Sequence, residues 1–573
     1  MRATACAARH DVRSSFLPRS MLSLPAQVHV TRRPLRRVLL SLGAASALCA
    51  SHSLPAQTFP TDDAVIKRIW ALGMDSSHVE RLGQVFLDSL GPRLTGTARQ
   101  RMSQDWVIKN YTAWGIEAKN EQYGTWRGWR RGHSHIDLIA PRVRTLEGTM
   151  VGYSPGTGGK DLIAAPIVLP RFADSTDFVR WLPNAKGKLV LISAPMPTCR
   201  PVEEYTREAT PASKARMDSV RRTVLAEWGG RSVRGTGYSA ALGGGSLGMR
   251  LEQAGVAGLI TSRAKDGWGS IEIFETYNTK APTIALSCED YGLVFRLTEN
   301  NQGPKLRLNL DAQLLPEQPV YNTIGMLRGT EKPNEYIVLS AHFDSWDGAS
   351  GATDNGTGTL LMFESMRILA KAYPKPKRTI IVGHWAAEEN GLVGSRAYTE
   401  DHPEVVSGLY ALFNQDGGTG RATRIGGGGM LNSVQHIPQW LAKMPDVIQK
   451  QLTFNGPGFP SGGGSDDASF ACHGAPAFGL GGQGWDYGNY TWHTNRDTFD
   501  KVWFDDLKGN ATIVAMLAYL ASEDPAPMTR ERIDPTTAQQ PAAGGRAGGP
   551  GQGTFAWPAC QPAARKTLPR IAG

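Results

Sequence analysis

Two apolar, β-branched runs, YIVLSAHFD (336–344) and RTIIVGHWAAEEN (378–390), flank a helical stretch, TGTLLMFESMRILAKAY (357–373), that stops before Pro374. Strands joined through a helix run parallel, since a hairpin cannot bring the chain back to the same end of a sheet. The pattern predicts an α/β fold: a mixed, mostly parallel sheet flanked by helices, with chemistry delivered at the carboxyl ends of the strands.

Residues suited to that chemistry sit at those exits. They are His342 in SAHFDSWDG, Asp354 in ATDNGTG, the pair Glu388 and Glu389 in HWAAEENG, Asp416 in FNQDGG, and His493 in TWHTNRDT. Zinc takes imidazole nitrogen and carboxylate oxygen at roughly 2.0–2.2 Å, and a catalytic site keeps one position open for water. Two ions roughly 3.5–4 Å apart need a bridging carboxylate, a role that suits Asp354. Adjacent side chains at a strand end point apart, so Glu389 is read as a ligand and Glu388 as a base. Asp344 is expected to accept a hydrogen bond from His342 and fix its tautomer, and Asp497 to do the same for His493.

This order of residues resembles the co-catalytic di-zinc exopeptidases, which include bacterial leucyl aminopeptidases, glutamate carboxypeptidase II and carboxypeptidase Q. The stretch HFDSWDGASGATDNGTG is most similar to the carboxypeptidase Q branch, and DSLGPRLTGT (88–97) looks like the family's N-terminal signature. The resemblance implies two Zn2+ per subunit on His342, Asp354, Glu389, Asp416 and His493, Glu388 as general base, and a cis peptide between Asp354 and Asn355. It also implies that SGGGSDDASF (461–470) lines the substrate pocket through Ser465, Asp466 and Asp467. A tyrosine that precedes the last histidine in some relatives is replaced here by Trp492, which leaves Tyr490 or Tyr487 as candidates for stabilising an oxyanion.

A chain of 573 residues exceeds what one core usually supports. Residues 1–56 are read as a targeting segment: TRRPLRR precedes the apolar VLLSLGAASALCA, with cleavage near Ala50 or Ala56 and too few apolar residues for a stable span. Residues 57–144 would begin a catalytic domain that resumes over 301–524. Between them, residues 145–300 carry short β-rich runs, AAPIVLP, GKLVLISAP, AGVAGLITS and APTIALSCED, which resemble the protease-associated domain inserted into several members of the family. Residues 525–573, rich in Pro, Ala, Gly and Gln, are expected to be disordered, with FAWPAC (555–560) a segment that could dock back.

The formal charge of +10 resides in the ends: residues 1–56 carry +7 and 525–573 carry +4, leaving −1 between them. A nucleic-acid role for the body therefore lacks electrostatic support. Four cysteines remain after the targeting segment: Cys199, Cys288, Cys472 and Cys560. None is at metal spacing; Cys288 and Cys472 read as buried thiols, and an exported protein would permit one or two bridges of unreadable connectivity. His133 and His135 read as surface or structural residues, and His384 as a core residue.

The expected protein is a secreted or periplasmic zinc exopeptidase acting on small peptides, carboxypeptidase Q-like. Aminopeptidase or dipeptidase action on the same site is the alternative, followed by glutaminyl cyclisation and a non-catalytic binding module. The sequence leaves open the attacked terminus, the metal in the cell (Co or Mn also suit such ligands), and the assembly, a homodimer included.

Overall fold

A computed structural model describes residues 59–566 apart from 230–246, 264, 461, 486 and 535–556. The segment read as targeting (1–56) and most of the Pro/Ala/Gly-rich tail lie outside the described residues. Among the described residues no helix is long and apolar enough to cross a membrane.

Fifteen strands are described: β1 (Glu117–Ala140), β2 (Arg144–Thr145), β3 (Gly148–Met150), β4 (Leu162–Ala164), β5 (Pro166–Val168), β6 (Leu189–Leu191), β7 (Gly258–Thr261), β8 (Thr283–Leu286), β9 (Lys305–Leu327), β10 (Lys332–His342), β11 (Arg378–Trp385), β12 (Leu409–Gln415), β13 (Ala422–Gly426), β14 (Thr453–Asn455) and β15 (Ala477–Gly482). The main sheet runs β14-β13-β15-β12-β10-β11-β9-β1-β2, with β4 also on β9. Its centre is parallel: β10 pairs β11 with Ile337 opposite Ile380, and also pairs β12, which pairs β15. The helix Thr357–Ala372 forms the predicted crossover between β10 and β11.

Alternation along β10 builds two cores. Ile337, Leu339 and Ala341 face the helices Thr357–Ala372 and Phe504–Glu523, while Val338 faces Ile381, Tyr398, Leu412 and Phe470 on the other side. Both faces being covered, β11 is buried along its whole length, which is why its sequence is a continuous apolar run rather than an alternating one.

A second, five-stranded sheet, β3-β8-β7-β6-β5, is built from the short runs between residues 148 and 286. It carries its own apolar clusters, one around Leu189, Leu191, Ile260 and Ile284, the other around Phe178, Val190 and Leu259. The long antiparallel pair β1 and β9 serves both bodies. Its Glu121–Asn322 end lies in the main sheet, and its Ile136–Leu308 end packs into the core of the second.

Two expectations are corrected. Cys288 and Cys472 are not free thiols: Cys199 is bonded to Cys288 and Cys472 to Cys560. The tail is not uniformly disordered either. Residues 557–566 lie on the main-sheet body, where Trp557 packs on the large core, Arg565 pairs with Glu400 and Asp401, and Lys566 bridges to Thr125. A composition-based reading misses this because a disulfide and a few anchor residues hold a segment that lacks apolar surface of its own.

Candidate metal centre

The metal-type residues converge from three strand ends and two loops. His342 closes β10, and Glu388 and Glu389 follow β11 through Ala387, whose φ of 56° turns the chain sharply. Asp416 follows β12, Asp354 precedes the crossover helix, and His493 lies in the loop before the helix Phe504–Glu523.

Two triads form, and Asp354 belongs to both. His342 Nε2 lies 3.3 Å from Asp354 Oδ1 and 3.5 Å from Asp416 Oδ1. His493 Nε2 lies 3.2 Å from Asp354 Oδ2 and 2.9 Å from Glu389 Oε2. Within each triad the facing atoms all fall within 4.8 Å of one another. Glu388 Oε2 stands at 4.0 Å from His342 Nε2, outside both triads. The peptide bond between Asp354 and Asn355 is cis.

The donor set fits zinc in type, nitrogen and carboxylate oxygen, and the structure leaves some of these atoms without protein partners. Asp354 Oδ2, Glu389 Oε1 and His493 Nδ1 are buried and accept or donate no hydrogen bond. Buried carboxylate oxygens that face one another without donors are costly unless a cation lies between them. The electrostatics show the same crowding. Burial works against charge on His342, yet Glu388, Asp416 and Asp354 outweigh it and hold the imidazole well above its ordinary range. His493 is raised likewise, to about 10, by Glu389 and Asp354 against its burial. Asp354, despite burial, is held below the usual carboxylate range by the two imidazoles. Burial pushes Glu388 well above its usual value and Glu389 to about 7.

The supporting residues differ from expectation. His342 Nδ1 donates to the backbone carbonyl of Asp344 at 3.1 Å, and the Asp344 carboxylate is 3.8 Å away. That carboxylate instead accepts from the backbone N–H groups of Glu388 (3.0 Å) and Glu389 (3.3 Å) and from Thr95 Oγ1 (3.3 Å), so it fixes the glutamate turn. Asp497 does not reach His493. Its carboxylate accepts from Thr353 N and Oγ1, both at 2.7 Å, and from Asp354 N at 3.0 Å, so it positions the shared aspartate. The short spacing in sequence suggested a partner along the same loop; the fold supplied one from another.

Of the pocket residues, Asp466 and Asp467 are buried rather than lining an open cleft, and burial raises Asp466 to about 8. Ser465 accepts from Asn414 Nδ2 at 2.9 Å. Trp492 stacks on His493 at 3.8 Å between centroids, and Tyr490 turns its hydroxyl to Glu203 at 3.1 Å. Tyr487 is crowded by Asp354, Asp416 and Asp497, and burial raises its pKa well above the usual value. His384 is a buried core residue bonded to Tyr111 at 2.7 Å, and His133 is exposed.

Arg93 is the functional residue that sequence reading did not name. It is fully buried, and its guanidinium donates to the carbonyls of Phe343, Ser350 and Gly351 at 2.7–2.8 Å, which ties together the loop from His342 to Asp354. The signal was present, because Arg93 stands inside the signature-like DSLGPRLTGT.

The mixed α/β sheet, with metal-type residues gathered at one edge of its parallel strands, can be set beside known proteins. Residues 322–518 match the model of peptidase family M28. Carboxypeptidase Q of Rattus norvegicus is 26% identical over 340 residues, covering 59% of this chain and 64% of that protein. Carboxypeptidase Q of Homo sapiens is 25% identical over 342 residues, with the same coverage. The alignments thus span somewhat under two thirds of these relatives' length. Among solved structures, a peptidase M28 precursor from Shewanella amazonensis shares the fold at a TM-score of 0.58 and 24% identity, covering 81% of this chain and 97% of that one. BSAP, a zinc aminopeptidase from Bacillus subtilis, does so at 0.51 and 19% identity, covering 78% and 95%.

Proposed function

We propose that this protein is an exported exopeptidase that holds two zinc ions and hydrolyses a terminal bond of small peptides, most like a carboxypeptidase. The observation that carries this reading is Asp354, whose two oxygens face two separate imidazoles at 3.3 and 3.2 Å. One position would be held by His342, Asp354 and Asp416, the other by Asp354, Glu389 and His493. Zinc bound there would supply Lewis acidity toward the scissile carbonyl and lower the pKa of a bound water.

The chain's own residues then divide the work. Glu388 takes the proton from the attacking water and returns it to the leaving amine. Asp344 accepts from the backbone N–H of Glu388 and so holds the turn that carries it. Asp497 and Arg93 hold the loop bearing Asp354. Phe274 and Trp346 pack edge-on against the His493 ring, 4.9 and 6.0 Å away between centroids.

A carboxypeptidase reading is supported by the names of the relatives. Export is supported by the two disulfides. The test is hydrolysis of two blocked dipeptides by zinc-loaded protein. Cleavage of the amino-blocked peptide alone, lost in Glu388→Gln, is expected. Cleavage of the carboxyl-blocked one alone would make the enzyme an aminopeptidase, and cleavage of neither beside an active free dipeptide would make it a dipeptidase.

A further inference from the structure

His493, like Asp354, is presented by a loop rather than by a strand end. It follows the four-residue helix Tyr487–Tyr490 and takes a φ of 59°. Its backbone is held from the second-sheet body. Ile273 N donates to His493 O at 2.7 Å, Asn495 N donates to Ile271 O at 3.1 Å, and Glu272 pairs with Thr494 across an antiparallel bridge.

Side chains extend the grip. Lys265 Nζ donates to Gly488 O at 2.8 Å, pairs with Glu272 at 3.2 Å, and lies 4.6 Å over the ring of Trp492, which itself stacks on His493. Tyr490 donates to Glu203 of the same body. His342, Asp354, Glu389 and Asp416, by contrast, are fixed from within the main body by β10, Asp497, Asp344 and β12.

We propose that the insert positions His493, with Lys265 as the principal side chain, so that the metal position of Asp354, Glu389 and His493 depends on the insert while that of His342, Asp354 and Asp416 does not. This rests on the two-metal reading. Partners that orient a ligand in this way typically change metal affinity by about 10–100-fold when removed. The insert would then govern how many ions the site holds.

The test uses the full chain, stripped of metal and titrated with zinc against a competing chromophoric chelator, with anomalous scattering at the zinc edge to locate each ion. Wild-type protein is expected to take two ions. Lys265→Met, which keeps the aliphatic stem against Trp492, is expected to weaken the His493 position by about 10–100-fold and leave the His342 position unchanged. Lys265→Arg should restore most of the loss. Tyr490→Phe, which removes one hydroxyl, should weaken the same position to a smaller degree and decides the matter if Lys265→Met fails to fold. Arg180→Ala, on the exposed Arg180–Asp177 pair of the insert, should change neither. Wild-type affinity at both positions in Lys265→Met and Tyr490→Phe, or equal weakening of both positions, would overturn the positioning role. Wild-type protein binding fewer than two ions would overturn the two-metal reading itself.

Discussion

At the scale of residues, the proposed site divides into groups that would hold metal and groups that would aim them. Glu388 stands outside both triads, so Glu388→Gln should lower kcat by about 10²–10⁴-fold, the usual contribution of a positioned base, while zinc content stays unchanged. Kinetics and metal analysis on one preparation check this, and loss of zinc in that variant would make Glu388 a ligand instead. Asp497 acts on Asp354 through Thr353 N, Thr353 Oγ1 and Asp354 N. Asp497→Ala is therefore expected to weaken zinc by about 10–100-fold at both positions, since Asp354 serves both. Arg93 is a structural matter. Arg93→Met leaves buried carbonyls of Phe343 and Gly351 without donors and should cost about 3 kcal/mol in urea unfolding.

At the scale of elements, the strand exits were legible because the sheet is buried on both faces: continuous apolar runs ending in His342 and the Glu388–Glu389 pair admit few other readings. Partners were less legible. Asp344 was linked to His342 by nearness in sequence, whereas its carboxylate serves the turn after β11, a contact that exists only because β10 and β11 are neighbours in register. One link between elements carries a pH signature. His402 Nε2 and the Glu121 carboxylate on β1 form a short hydrogen bond. That bond raises the imidazole above its ordinary 6.5, and, against burial, the bonds from His402 and Lys119 lower Glu121 to about 2. The stability from His402 is complete below pH 6.5 and lost as pH rises through the raised value; that from Glu121 is complete above its ordinary 4.5 and lost as pH falls toward 2. His402→Gln should thus cost up to about 1 kcal/mol between pH 4.5 and 6.5 and progressively less at higher pH, as read from urea unfolding at pH 5.5 and 9.

At the scale of the whole molecule, three sequence-distant pieces meet on one domain. The short β-runs after residue 148 announced a second body, but its hold on His493 was illegible, because Lys265 and Gly488 are joined by folding and neither lies in a motif. The docked tail was legible only in part: FAWPAC hinted at docking, but the composition is that of a disordered segment, and the hold of Cys560 and Arg565 came from folding. Cys560→Ser should lower stability by about 2–4 kcal/mol and open residues 557–566 to proteolysis while metal content is retained. The central claim is that two ions share Asp354, and the most direct measurement is zinc titration into metal-free protein with peptide hydrolysis followed at each addition. The account predicts activity that saturates at two equivalents and disappears in Asp354→Asn. Full activity at one equivalent, or in the metal-free protein, would contradict it.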